Sequence, residues 1–420
     1  MALIVAPAFS AAPKVIVVDV DGVVHPVTVE IVGDAIGRAK AENAALLIVR
    51  LNTPGGLMDA MRETIEKIVS SPVPVVAYVA PSGGRAASAG FFILESGDVA
   101  AMAPGTNTGA AHPVAMGVEM DAVMTQKVVN DAAAYLRSIS GKRGRNSALA
   151  ESAVRESKSF TDREALDQHL IDLIAPDEER LLAALDGRTV TRFDGRSETL
   201  HTAGAAIEIY QRSLRQKIIS AIADPNIALV LLVIGALCVY IEFSSPGLIA
   251  PGVIGAILVL LGLSAISVLP INWLGAALLI LSFALFVLEA KFASHGILGI
   301  GGAISMVLGA VMLVNSPIPE MRVHWGTAIA LAVPFSAITV FLLSLIMRSR
   351  RSKVVTGSEG MIGETGSAVT ELAPAGKVFV RGEYWDAVSL RPACAGTRVR
   401  VTAIDKLTLT VEPVTDPTGG

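Results

Sequence analysis

Residues 226–347 carry almost no charge, and this stretch restricts the fold more than any other part of the chain. Apolar runs at 227–243, 249–269, 273–290, 297–314 and 327–347 each approach the length of a bilayer-crossing helix. Turn residues separate them, at Pro246-Gly247, at 269–272 and at 316–319, and Pro334 predicts a kink in the last run. In lipid, every backbone N–H and C=O must be paired within its own structure. The runs therefore predict a five-helix membrane region surrounded by the lipid bilayer. Arg348, Arg350, Arg351 and Lys353 follow, a basic flank that predicts a cytoplasmic C-terminal end. An odd number of crossings of the inner (cell) membrane then makes the N-terminal domain extracytoplasmic. Glu242 and Glu289 fall near span ends, where a solvated interfacial carboxylate is favoured over a functional intramembrane one.

Outside this region the chain is mixed and polar, so the overall 52% hydrophobic content of the 420 residues averages unlike parts. A net charge of -4 argues against a nucleic-acid footprint. Cys238 lies in an apolar run and Cys394 in the polar C-terminal part, which predicts no intrachain disulfide. The histidines are scattered without ligand spacing, so neither a metal nor another cofactor is expected. Residues 1–12 are apolar and end in small residues. They read as a truncated signal peptide, with an unstructured tail as the other reading.

Residues 14–185 alternate strand-like runs (15–20, 46–51, 73–80, 97–103) with helical spacing (27–41, 57–69, 86–95, 120–140, 162–169). That alternation predicts an α/β domain with largely parallel strands. Residues 186–225 read as a small hairpin followed by an amphipathic connector. Leu214, Ile218, Ile219 and Ile222 share one face of it, suited either to a membrane surface or to ordinary packing. Residues 354–414 hold five short strand-like runs and predict a small all-β barrel of the OB type. Its aromatic residues are few, and Tyr384 and Trp385 are adjacent, so a protein-interaction or structural module fits better than a nucleic-acid binder.

Two glycine-rich turns carry the chemistry. Asn52-Thr53-Pro54-Gly55-Gly56 and Ser82-Gly83-Gly84-Arg85-Ala86-Ala87-Ser88-Ala89-Gly90 each join a predicted strand to a predicted helix. Taken alone, Ser88 reads as a helix cap ahead of a nucleophile. The pair of turns shifts that balance, because one can carry the hydroxyl while the other aims N–H groups at an oxyanion. Gly55, Gly56 and Ala89 are the candidate oxyanion donors.

These two turns, together with Ala103-Pro104-Gly105-Thr106, resemble the membrane-bound, ClpP-class serine proteases of the NfeD family, the stomatin operon partner proteins. The likeness runs through the membrane region into the C-terminal barrel. It implies a ClpP/crotonase-like N-terminal fold and a membrane-anchored endopeptidase that cleaves hydrophobic segments. It also implies stomatin-like partners and a homo-oligomer. The family uses a Ser–Lys dyad, and the position matched to its lysine is Arg137. Arginine stays protonated and accepts no proton. Lys127 lies ten residues before Arg137, about 15 Å along a helix and too far to replace it directly, and Lys142 falls beyond the predicted helix end and reads as solvated. His112, on the loop after the nucleophile helix, is the stronger substitute because imidazole titrates near neutrality. A loop histidine bonded to backbone fits it equally well. Asp162 and Asp172 are candidate acids for it. Arg137 and Asn130, on one helix face, suit either substrate positioning or a surface salt bridge. A non-catalytic scaffold with a protease fold is the alternative that Arg137 favours.

Overall fold

The computed structural model describes residues 12–114, 120–244, 249–266, 271–292, 294, 296–316, 319–351 and 358–414. The proposed leader at 1–11 and Lys353 of the basic flank lie outside them. The chain divides into two compact units, Met1–Ala337 and Ile338–Gly420.

The first unit opens with β1 (Lys14–Asp21), α1 (Pro26–Ala41), β2 (Leu46–Asn52), α2 (Met58–Val69) and β3 (Val75–Val79). β4 (Arg85–Ala87), α3 (Ala89–Ser96), β5 (Val99–Met102) and β6 (Asn107–Gly109) follow. Next come α4 (Ala122–Lys142), α5 (Ser147–Arg155), β7 (Ser159–Thr161), α6 (Asp162–Asp167), β8 (Leu173–Ile174) and α7 (Glu178–Leu185). β9 (Thr189–Thr191) and β10 (Ser197–Thr199) pair as the expected hairpin, and β11 (Ala206–Ile209) ends the domain.

Six parallel strands form the main sheet in the order β11-β1-β2-β3-β5-β8. Its strands are continuous Val/Leu/Ile runs because both faces are covered. Ile16, Leu47, Val49 and Val75 face a core shared with α1, α2 and α3, while Ile48, Val76 and Tyr78 face Leu181 and Leu185 of α7. β11 comes from the stretch read as connector and pairs with β1. A second sheet, β4-β6-β7, is joined to the end of β2 by Thr53, whose N–H donates to the Arg85 carbonyl (2.7 Å) and whose carbonyl accepts from Ala87 N (3.0 Å), and β4 leads directly into Ser88.

α8 (Leu214–Ile222) lies in the connector, and α9 (Pro225–Ser244), α10 (Ile249–Ile266), α11 (Trp273–Lys291), α12 (Ile297–Met312) and α13 (Trp325–Arg351) occupy the apolar region. Pro225–Phe243 and Ile249–Ile266 are long and apolar enough to cross a membrane, and α11 and α12 are shorter apolar helices. Large side chains such as Leu260, Leu274, Ile280 and Ile300 stand more than half exposed, a surface suited to lipid rather than water. α9–α10 and α11–α12 form two hairpins built alike. Glu242, Gly252, Gly255 and Gly262 recur with the spacing of Glu289, Gly299, Gly302 and Gly309. In each, the glutamate accepts from the backbone N–H ten residues on, at Gly252 (3.3 Å) and Gly299 (3.0 Å). Glu289 is fully buried rather than solvated, and it also accepts from Ser294 Oγ and Gly296 N. It caps the N-terminal turn of α12, whose free N–H groups need a partner in an apolar setting.

In the second unit, α14 (Ser358–Met361) precedes β12 (Thr365–Ala368), β13 (Ala375–Val380), β14 (Glu383–Ser389), β15 (Arg398–Asp405) and β16 (Thr408–Pro413). The strands close into a barrel in the order β12-β13-β14-β16-β15. Alternate residues fill it, among them Val378, Val380, Ala387, Val399, Val401, Leu409 and Val411.

Candidate active site

Ser88 links β4 directly to α3, and its backbone lies at φ 52°, ψ −117°. That region costs a residue with a Cβ about 1–3 kcal/mol and persists only where the surroundings impose it. Here they do. Ser88 N–H donates to the Gly109 carbonyl (2.9 Å), and its own carbonyl accepts from Phe91 N (3.0 Å). The serine occupies the N-cap position, yet its hydroxyl makes no capping bond. A sharp strand-to-helix turn of this kind presents a side chain clear of its own backbone.

The first glycine turn packs against it. A Cβ on Gly55 would lie 2.6 Å from Ser88 Cβ and 3.1 Å from its Oγ, and Gly55 sits at φ +120°. Only glycine satisfies both conditions. Gly90 and Thr53 meet in the same way, a Cβ there falling 2.5 Å from Thr53 Cγ2. The Gly55 N–H is bonded to Thr53 Oγ1 (3.0 Å). Gly56 N–H makes no hydrogen bond among the described residues, and Ala89 N–H opens α3 with no carbonyl one turn earlier in the helix. Gly56 and Ala89 are therefore the freer pair of donors of the three.

The remaining candidates separate. His112 is half-buried, with Nδ1 2.8 Å from the Val154 carbonyl, a contact that protonates Nδ1 and leaves Nε2 as the acceptor. Asp172 binds Arg145 (2.9 Å) and Ala100 N (2.7 Å), and Asp162 accepts from Gly105 N (3.4 Å). Neither is hydrogen-bonded to His112. Arg137 donates to Glu151 (2.7 Å), and Asn130 accepts from Arg155 (2.7 Å), so both belong to a clamp between α4 and α5.

Lys127 is placed differently from what its sequence distance suggests. Phe92 stacks on Tyr135 (6.2 Å between centroids), and Arg143 donates to the Ser96 carbonyl (2.6 Å). α3 and α4 thus run in the same direction. One turn back from Phe92 is Ser88, and one turn back from Tyr135 is Asp131. Lys127 lies one further turn back, about 6 Å past the level of Ser88, whereas Arg137 lies about 9 Å the other way. A lysine stem spans the former distance. Lys127 has no hydrogen bond or ion pair among the described residues, and Lys142 is exposed in the last turn of α4.

The far end of α3 is held by charge. Arg145 donates to the carbonyls of Glu95 (2.7 Å) and Gly97 (3.0 Å), and Arg143 pairs with Asp98 at 2.7 Å with both side chains buried. Cations at a helix C-terminus are favourable. Glu95 itself is fully buried, and burial pushes its carboxyl up to about 8, with Arg145 at 4.0 Å opposing the rise. These contacts are set by the tertiary fold, and no sequence motif marks Arg143, Arg145 or Glu95 for them. Arg85, three residues before Ser88, pairs with Glu320 in the turn Pro319–Met321 after α12.

Three family profiles match consecutive parts of the chain. Residues 14–206 match the N-terminal domain of NfeD1b, 226–345 the NfeD integral membrane domain, and 358–413 the NfeD-like C-terminal, partner-binding domain. The membrane-bound protease PH1510 of Pyrococcus horikoshii is 34% identical over 388 residues, covering 89% of this chain and 87% of that protein. The membrane protein NfeD1b of Bacillus subtilis is 26% identical over 373 residues, covering 84% and 81%. Among solved structures, a variant of the 1510-N membrane-bound stomatin-specific protease in complex with a substrate peptide is 32% identical. It covers 50% of this chain and 98% of that one, with a TM-score of 0.47.

Proposed function

The chain belongs to the NfeD family of membrane proteins, and from that premise we propose that its N-terminal domain is a ClpP-like serine endopeptidase. One observation carries this reading: Ser88 is held in a strained turn, with a free hydroxyl, against a glycine that leaves it room. Ser88 Oγ attacks a peptide carbonyl as its proton passes to a base. The oxyanion takes N–H bonds from Gly56 and Ala89, with Gly55 available once Thr53 releases it. The base then returns the proton to the leaving amine, and water resolves the acyl-enzyme.

Two groups are candidates for the base. His112 offers Nε2. Lys127 offers an amine without a hydrogen bond or ion pair among the described residues, and the helix register supports it. An ammonium must shed its proton before it accepts one, and cover by an apolar substrate promotes that. Arg137 and Asn130 then hold α4 to α5 rather than touch substrate.

Substrates are hydrophobic segments of membrane-associated proteins, with stomatin-like proteins as partners of the C-terminal barrel and a homo-oligomer as the working form. The exposed Val114, Val123 and Met124 after the nucleophile loop suit both an apolar peptide and a second copy. The second reading, a protease-fold scaffold that organises stomatin-like proteins, is favoured by the engagement of Arg137 with Glu151. Cleavage of a fluorogenic Leu/Val-rich peptide by the full-length protein in nanodiscs separates the two. The protease reading expects turnover that Ser88→Ala removes. Turnover equal in wild type and Ser88→Ala contradicts it.

A further inference from the structure

A cavity of about 600 Å³ lies where the α/β domain meets the helices of the first unit, and the catalytic reading does not use it. Its apolar wall includes Val23, Val27, Leu57, Ile222, Ala265 and Met321. Two links connect it to Ser88. Val24 N–H donates to the Gly55 carbonyl (2.8 Å), and the Val24 carbonyl accepts from Leu57 N (2.9 Å), so one edge of the cavity is bonded to the glycine turn. Glu320 lies on another edge and pairs with Arg85 in the strand that ends at Ser88.

Two polar atoms of the lining are buried without a partner among the described residues, His25 Nδ1 and Ser220 Oγ. Thr28 Oγ1 accepts from the His25 N–H (3.2 Å), and the Thr28 N–H faces the His25 side chain in a capping-box arrangement but donates to the His25 carbonyl (2.8 Å), which leaves the ring nitrogen without a full hydrogen bond. Buried polar atoms are nearly always paired, and leaving one unpaired is costly. A hydrocarbon chain filling this space would leave both unpaired. A polypeptide brings N–H and C=O groups alongside apolar side chains and can satisfy both. Asp21 and Asp224 line the cavity beside the Arg212 guanidinium, and Asp19 and Glu320 there are already paired with Arg50 and Arg85, so the lining keeps a small negative excess that disfavours a phosphate headgroup.

We propose that this cavity is a subsite for apolar residues of a polypeptide leaving the membrane, with His25 and Ser220 holding its main chain. Calling that polypeptide the substrate rests on the protease reading. The occupant's chemistry does not. The test uses full-length Ser88→Ala protein in phosphatidylcholine nanodiscs and a short fluorescent Leu/Val-rich peptide, followed by anisotropy. Met321→Trp fills the cavity, and Ser220→Val removes one main-chain partner. Each is expected to weaken binding about tenfold or more while melting like its parent. Should Met321→Trp fail to fold, Ser220→Val and His25→Leu provide the same comparison. Folded variants that bind the peptide as tightly as the parent overturn the proposal. So does a fluorescent fatty acid that these substitutions exclude and the peptide fails to displace, which would mark an acyl-chain site. A wild type that resists fluorophosphonates counts against the protease reading alone, since the peptide affinity is measured without Ser88.

Discussion

Ser88 stands in a backbone conformation that a serine does not prefer. The motif around it is legible in the sequence as a small hydroxyl between glycines. The strain is not, because it arises from β4 and from the Gly109 carbonyl brought up by β6. Gly55→Ala is therefore expected to lose activity and at least about 2 kcal/mol of stability, by collision with Ser88 and by strain at φ +120°. Parent-like melting and turnover would contradict the packing described. Lys127→Ala should cost on the order of 100-fold or more in turnover, and His112→Ala much less, if the helix register identifies the base. The reverse order would return the role to His112. Lys127 lies about 15 Å of helix from Arg137, whereas its distance from Ser88 depends on how α3 lies against α4, which no sequence spacing gives. Glu95 gives a separate prediction. Its carboxyl is raised from 4.5 to about 8 by burial, so the folded state holds the proton more tightly than the unfolded chain. The stability it contributes is complete below about pH 4.5 and is lost as pH rises to about 8. Glu95→Gln should flatten the fall in melting temperature between those limits. A gap between variant and wild type that stays constant with pH would refute the assignment.

At the scale of elements, the long apolar and alternating runs were readable. The short pieces that build the site were not. β4 and β6 are three residues each and are fixed by each other and by β7 rather than by local propensity. β11 was hidden in a polar stretch because an edge strand buries little, its Ile207 and Ile209 remaining exposed. The duplication of the α9–α10 hairpin in α11–α12 was present in the sequence as repeated Glu and Gly spacing. It was missed because the two acids were read only by their place at span ends, without the glycines that follow each of them. Their shared task is now testable. Glu289→Ala removes the acceptor for Gly296 and Gly299 N–H in a buried place and should cost about 1–3 kcal/mol, read as a lower melting temperature in detergent. An unchanged melt would mean that the α12 turn finds other partners.

For the whole molecule, hydropathy changes abruptly near residues 226 and 347, and three family profiles match the stretches on either side of and between these borders. The barrel was legible because its five strands alternate cleanly around a Val-rich interior. Residues 358–414 are expected to fold alone and to melt cooperatively. The proposed topology puts the barrel in the cytoplasm and the α/β domain on the opposite side, so an impermeant thiol reagent outside the cell should reach a cysteine placed at Arg163 and not one at Val414. The central claim is that Ser88 is a nucleophile. Its most direct test is a fluorophosphonate probe applied to the full-length protein in nanodiscs, with the modified peptide identified by mass spectrometry. A single adduct on Ser88, absent in Ser88→Ala, is the predicted result. Folded wild-type protein that shows no adduct on Ser88, or equal labelling of wild type and Ser88→Ala, would contradict it.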